Sequence, residues 1–311
     1  MTSLLSRRQN NQRVVLHIGS TKTGSSFLQY VLHLNRDKLL KHGILYPDVG
    51  TRSSAHHLIA TCVHPTSHRL HPDVDWADKK GLLSHYIQEI RRQQKATGAK
   101  TLIISSEYLW RILPGPNLEQ LAALFGESTV EIVCFLRNQM EWIPSTYGQA
   151  VKSGETKRYE NWLDQKLKAP QFPANYSLIL QHFANTFDRP SIKAIDYDLA
   201  RSSGGVCKAF FQRLELEVNT LSLKLPAKKV NPSLGATGTA LFRQANKIPL
   251  PKAQKKYILG TLLKLPDNKN PINLMTADQR KRIEEAFSAQ NMQLEKYFDT
   301  SHPPPWVRNG R

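Results

Sequence analysis

Arg13-Val-Val-Leu-His-Ile-Gly-Ser-Thr-Lys-Thr-Gly-Ser-Ser-Phe-Leu-Gln29 changes pattern twice within a short span. Val14, Val15 and Ile18 form an apolar, β-branched run, the composition of a strand buried on both faces. The run breaks at Gly19, crosses Ser20, Thr21, Lys22, Thr23 and Gly24, and resumes as a helical pattern from Ser25. Strand, glycine-bounded turn and helix start together bring backbone N–H groups, a lysine and hydroxyls to one point. The first N–H groups of a helix, here those of Ser25, Ser26 and Phe27, have no intrahelical acceptor and sit at the positive end of its dipole. Gly24 lets the backbone approach a ligand closely. Lys22 adds a mobile point charge, and Thr23, Ser25 and Ser26 add hydroxyl donors. Such a point binds a phosphate or a sulfate. The nucleoside-triphosphate loop G-x-x-x-x-G-K-[ST] does not fit, because here the lysine precedes the second glycine and Ser25 follows it.

A second segment points to the same chemistry. Thr129-Val-Glu-Ile-Val-Cys-Phe-Leu136 reads as a buried strand that ends on Arg137, and a helical stretch follows from Asn138 to Gly154. In open α/β sheets ligands bind outside the carboxyl ends of the strands, where Arg137 falls. Ser145 lies two helical turns further on, so its hydroxyl can turn back toward that end. An arginine fork with a serine suits a second phosphate. The plainer alternative makes Arg137 a sheet-edge cap and Ser145 a solvated helix residue.

These two segments resemble the nucleotide-binding motifs of sulfotransferases that use 3′-phosphoadenosine 5′-phosphosulfate (PAPS). Thr21-Lys22-Thr23-Gly24-Ser25-Ser26 is similar to the family's 5′-phosphosulfate loop, P-K-[ST]-G-[TS]-[TS], with threonine in place of the usual proline. Arg137 and Ser145 match its 3′-phosphate site. The closer likeness is to bacterial sulfotransferase-like proteins, through His17 to Gln29, Leu136 to Tyr147 and Asn231-Pro-Ser-Leu234. It runs from residue 13 to about 245 and is loose between motifs. The resemblance implies a P-loop-like three-layer α/β fold, a central parallel sheet flanked by helices. It also implies PAPS as sulfuryl donor, with 3′,5′-adenosine bisphosphate (PAP) as product. Tyr197 matches a family position near the nucleotide, though it reads equally as a core aromatic at a strand end. Asn231 and Ser233 precede a helix and either cap it or reach the nucleotide.

The rest of the chain agrees with one α/β core. Strands alternate with helical patterns, the signature of a parallel sheet. Gly43 to Pro47, Lys100 to Glu107 and Ser191 to Asp198 read as further strands. Helices are expected at Ser25–His42, Gly81–Gln94, Asn117–Phe125 and Val206–Leu214, with a histidine-rich loop from His56 to His71. The expected division is a flexible N-terminus (1–12), a core (13–225), a mostly helical extension packed on the core (226–300) and an extended tail (301–311). The extension holds helices at Ser233–Lys247, Lys252–Leu263 and Thr276–Phe298.

Composition sets outer limits. At 311 residues and 40% hydrophobic content the chain can bury one large core. Its 43 basic against 25 acidic residues give a formal charge of +18, which attracts nucleic acid, an anionic membrane surface or polyanionic molecules. No nucleic-acid-binding motif accompanies the charge. It is read instead as favouring an anionic acceptor, a glycan or a lipid headgroup, with peripheral membrane association open. Cys62, Cys134 and Cys207 are scattered, with no C-x-x-C pair, which argues against a disulfide framework or a zinc site. No apolar leader precedes residue 13 and no apolar run approaches the ~20 residues of a membrane span. A cytoplasmic location is the expectation.

Sulfuryl transfer needs an aligned acceptor hydroxyl, a base for its proton and stabilisation of the leaving phosphate. Lys22 suits the last role, so no metal is required. Glu107, at the end of the strand Lys100 to Glu107, is the first choice as base, a role that a glutamate fills in some glycan sulfotransferases. Its structural alternative is a salt bridge to Lys22 or Arg137. His56 and His57 are the rivals, since histidine titrates near neutrality. His64, His68 and His71 extend that set without metal-ligand spacing. Trp76, Trp110, Trp142 and Trp162 either line an acceptor cleft or fill the core. The alternatives outside sulfotransfer are a PAP- or polyanion-binding protein without turnover and an ATP-dependent small-molecule kinase.

Overall fold

The computed structural model describes residues 12–64, 71–111, 116–126, 128–169, 171–187, 191–227, 233–266, 275–299 and 303–308. The expected N-terminal segment up to residue 11, Asn231 and His68 lie outside these residues.

The chain folds as α/β. Five strands, β1 (Arg13–His17), β2 (Ile44–Leu45), β3 (Thr101–Ser105), β4 (Thr129–Leu136) and β5 (Ser191–Asp196), form one sheet in the order β2-β3-β1-β4-β5. Every pairing is parallel. β1 is central, with His17 opposite Ser105 on β3 and Val133 on β4. Parallel neighbours must be joined by right-handed crossovers. The first connection, α1 (Ser25–Leu34) and α2 (Arg36–Lys41), runs from β1 outward to β2. The next two run the other way, so their helices cover the opposite face. These are α3 (His57–Cys62) and α4 (Lys79–Thr97) before β3, and α5 (Pro116–Phe125) before β4.

The connection from β4 to β5 is longer, through α6 (Gln139–Lys152), α7 (Tyr159–Leu167) and α8 (Tyr176–Thr186). After β5 come α9 (Tyr197–Ser202) and α10 (Val206–Arg213), then α11 (Ala236–Asn246), α12 (Lys252–Leu262), α13 (Ala277–Met292) and α14 (Pro305–Arg308).

Two compact units arise. The first comprises Met1–Leu136, Tyr176–Ala227 and Lys296–Pro303 and contains the whole sheet. On one sheet face Val15, Ile103, Val133, Phe135 and Ile195 pack with Leu28, Val31 and Leu32 of α1 and Val206, Phe210 and Phe211 of α10. At the amino edge Glu131 bonds Arg13 at 2.5 Å and Lys193 at 2.8 Å, tying β1, β4 and β5 together. The second comprises Arg137–Asn175, Lys228–Glu295 and Pro304–Arg311. Its core joins Trp142, Tyr147, Trp162 and Phe172 to Phe242, Ile283 and Phe287. Residues 137–175 therefore belong with the C-terminal helices, although the sequence pattern groups them with the sheet.

Several boundaries differ from the sequence reading for local reasons. The helix expected over Ser25–His42 breaks at Asn35, whose amide donates to Val31 and Lys224 carbonyls and accepts from the Lys224 N–H. The histidine-rich stretch contains α3. The strand expected to reach Asp198 stops at Asp196, whose carboxylate caps α9 by accepting from the Leu199 N–H at 2.7 Å. The tail is not wholly extended: α14 buries Val307. Among the described residues no helix is long and apolar enough to cross a membrane.

Candidate functional site

β1 is the strand at which connections change direction. The chain leaves it toward α1 on one sheet face and leaves neighbouring β3 toward α5 on the other. In open α/β sheets such a divergence marks the carboxyl ends at which ligands bind, and the loop of residues 18–24 follows β1 at that end. Gly19, Lys22 and Gly24 adopt φ of 56°, 67° and 78°. The left-handed region is unfavourable for lysine, so Lys22 holds a strained turn at the point where the sequence predicts a ligand. These turns curl the loop around the Ser20 carbonyl, which accepts from Thr23 Oγ1 at 2.6 Å and Ser25 Oγ at 3.1 Å. Thr23 and Ser25 are buried. Their hydroxyls brace the loop from within. Lys22 and Ser26 stay half-buried. α1 begins at Ser25 with Gly24 as its cap residue, no side-chain cap and no acidic residue in its first turn. No side chain of its own first turn compensates its positive end.

The two glycines fit the loop to its surroundings. A Cβ on Gly19 would lie 2.8 Å from Ser25 Oγ and 3.2 Å from Glu107 Cβ. A Cβ on Gly24 would lie 3.2 Å from both the Tyr197 ring and Val206. Tyr197 thus packs beside the loop from the first turn of α9, and Glu107 packs beside it from the end of β3.

Glu107 opens a 3₁₀ turn immediately after β3. Its Oε2 accepts from Gln29 Nε2 at 2.7 Å and lies 3.9 Å from His57 Nε2. His57 Nδ1 is 2.9 Å from Ser106 Oγ, and its ring stacks on Tyr108 with centroids 4.2 Å apart. Burial lowers the His57 pKa; the Glu107 charge raises it and His71 lowers it further, and the net shift is downward. Two hydrogen-bonded pairs, Gln29–Glu107 and Ser106–His57, therefore meet at the 3.9 Å approach of Glu107 to His57, beside the β1–α1 loop. Sequence reading missed Gln29 and Ser106. The available signal was Gln29 itself, a polar residue buried among Leu28, Val31 and Leu32.

His56 stands in the core, bonded at both ring nitrogens. Its ring is fully buried, with Nε2 donating to the Pro47 carbonyl at 3.1 Å and Nδ1 accepting from the Ser105 N–H at 3.1 Å. Burial pushes its pKa down to about 3. Both nitrogens hold backbone, so the ring fastens α3 to β3.

Most of the remaining expected residues lie in the second unit or in the core. Arg137 directly follows β4, with Nη2 3.7 Å from the Glu141 carboxylate. Ser145 is half-buried on α6, which Asn138 caps by accepting from the Met140 N–H at 2.9 Å. Ser233 is exposed just before α11. Trp110, Trp142 and Trp162 are fully buried, so they are core and do not line a cleft. Trp76 donates its indole N–H to the His71 carbonyl. Among the described residues no three histidine, cysteine or acidic side chains converge as a metal-binding group.

No family model matches the chain. It is similar to an uncharacterized protein of Archaeoglobus fulgidus, 29% identical over 178 residues, which make up 55% of this chain and 47% of that one. The chain spans about half the length of this relative.

Proposed function

We propose that the protein is a PAPS-dependent sulfotransferase acting on an acceptor hydroxyl, with a carbohydrate or glycolipid as the acceptor class. The observation that carries the reading is the strained Gly19–Gly24 loop, which feeds an uncapped helix start beside a hydrogen-bonded carboxylate. An anion loop alone serves many nucleotide chemistries. A glutamate packed on its first glycine adds a proton acceptor where the transferred group would be held.

In this reading Gln29 fixes one oxygen of Glu107 and leaves the other to take the acceptor proton. The acceptor oxygen bonds to sulfur as the bond from sulfur to the 5′-phosphate oxygen breaks, and that electron pair leaves with PAP. Lys22 and the α1 N-terminus meet the charge on the departing phosphate, preorganised electrostatic stabilisation of the kind that dominates many active sites. The family likeness gives the 3′-phosphate to Arg137 and Ser145.

The test is PAP release from PAPS with a panel of hydroxyl-bearing glycans and glycolipids. Glu107→Gln is expected to lower kcat by about 10²–10⁴, and Lys22→Ala by about 10²–10³. Turnover unchanged in Glu107→Gln would overturn the base assignment.

A further inference from the structure

The chain's positive charge is unevenly placed. Between Glu217 and Asp267 there is no acidic residue. The later described part of that stretch, 233–266, carries Arg243, Lys247, Lys252, Lys255, Lys256 and Lys264. It folds in the second unit as α11 and α12, joined through Lys247–Pro251. Ile258, Leu259, Leu262 and Leu263 turn one side of α12 to that unit's core. By helical spacing Tyr257 and Lys264 lie opposite that side and Lys256 lies at its edge, beside Leu263, and all three are exposed. Among the described residues none of Lys247, Lys252, Lys256 and Lys264 forms an ion pair.

Two features separate this face from an ordinary solvated one. Lys252, Lys255 and Lys256 crowd the first turns of α12, where there is no acidic residue. They repel one another at helical spacing and oppose the helix dipole, so the element carries a positive field that its own chain does not neutralise. Large apolar side chains of the same two helices and of the link between them are exposed as well. Tyr257 is 79% exposed, Ile248 53% and Leu241 52%. A soluble polyanion would use the lysines and gain nothing from Ile248 or Leu241. A lipid interface uses both: headgroups pair with the ammonium groups, lysine stems lie along the surface, and aliphatic and tyrosine side chains enter the headgroup boundary.

We propose that the α11–α12 face docks on a membrane surface bearing anionic phospholipid headgroups. The surface is independent of the nucleotide loop and stands whether or not the chain transfers sulfate.

The test is co-sedimentation of the full chain with phosphatidylcholine vesicles, with and without 30% phosphatidylserine, beside a heparin-binding titration. Partitioning is expected to depend on phosphatidylserine. Each lysine near the surface contributes roughly fivefold, so Lys252→Gln, Lys256→Gln and Lys264→Gln together should weaken it by about 100-fold. The same number of exposed lysines removed from the first unit (Lys41, Lys80 and Lys95 to Gln) should change it by less than about fivefold. Ile248→Ser with Tyr257→Ser should weaken vesicle binding and leave heparin binding intact. All these positions are exposed, and unchanged thermal melts confirm that each variant is folded. Absence of phosphatidylserine-dependent binding, or equal losses in the two lysine sets, overturns the proposal. Heparin binding without phosphatidylserine-dependent vesicle binding assigns the face to soluble polyanions instead, and vesicle binding undiminished in the Ile248/Tyr257 variant overturns the role given to those two side chains.

Discussion

Gln29 is a polar side chain at a buried position of α1, and its amide donates to Glu107. That bond gives a test of Glu107 that deletion does not. Gln29→Glu would replace the donor that holds Glu107 with a second carboxylate, and the two like charges repel. kcat is expected to fall by about tenfold or more, and an unchanged kcat contradicts Glu107 as the base. The buried histidines give a separate prediction about stability. His17 and His56 are fully buried, and burial lowers both to about 3 from an unfolded value of 6.5. Between those values the unfolded chain binds more protons. Stability is therefore complete above about pH 6.5 and falls as pH drops through that window toward 3. At pH 5 each histidine accounts for about 2 kcal/mol of the loss. Urea unfolding at pH 7 and pH 5 measures it, and equal stability at the two pH values contradicts it. Little of this was legible in the sequence. Adjacent histidines look alike there, yet His56 meets two backbone groups and His57 faces Glu107.

At the scale of elements, the loop between β1 and α1 depends on glycine at Gly24 for two reasons. Its φ is 78°, and a Cβ would press on Tyr197 and Val206. Gly43 shares the first property, with φ 70°, and has open space around it. Gly24→Ala and Gly43→Ala should each cost about 1–2 kcal/mol in backbone strain. Only Gly24→Ala should also weaken nucleotide binding, by tenfold or more, because Tyr197 must shift beside the loop. Equal nucleotide affinities in the two variants would separate the loop from the ligand. The strands themselves were legible, since β1, β3 and β4 are near-continuous apolar runs bounded by turn residues. Asn35 was not. Periodicity carries the helix through it, and the break comes from bonds to Lys224, far along the chain. The start of α9 was hidden likewise, because Asp196 reads as strand until its carboxylate is seen capping Leu199.

At the scale of the whole molecule, the parallel α/β architecture followed from alternating strand and helix patterns, whereas the two units did not. Residues 137–175 carry ordinary helical periodicity, and periodicity does not say which apolar face they meet. Trp142, Trp162 and Phe172 meet Phe242, Ile283 and Phe287, partners that lie far along the chain. The central claim remains the identity of the anion at the β1 loop. It is tested most directly by calorimetric titration of the full chain with PAP, ATP and 5′-AMP in magnesium-free buffer, repeated on Lys22→Ala and Arg137→Ala. The account predicts selective binding of PAP, weakened by about tenfold or more in each variant, as befits loss of a charge-assisted contact. Binding of ATP equal to or tighter than that of PAP, or PAP affinity unchanged in Lys22→Ala, would contradict it.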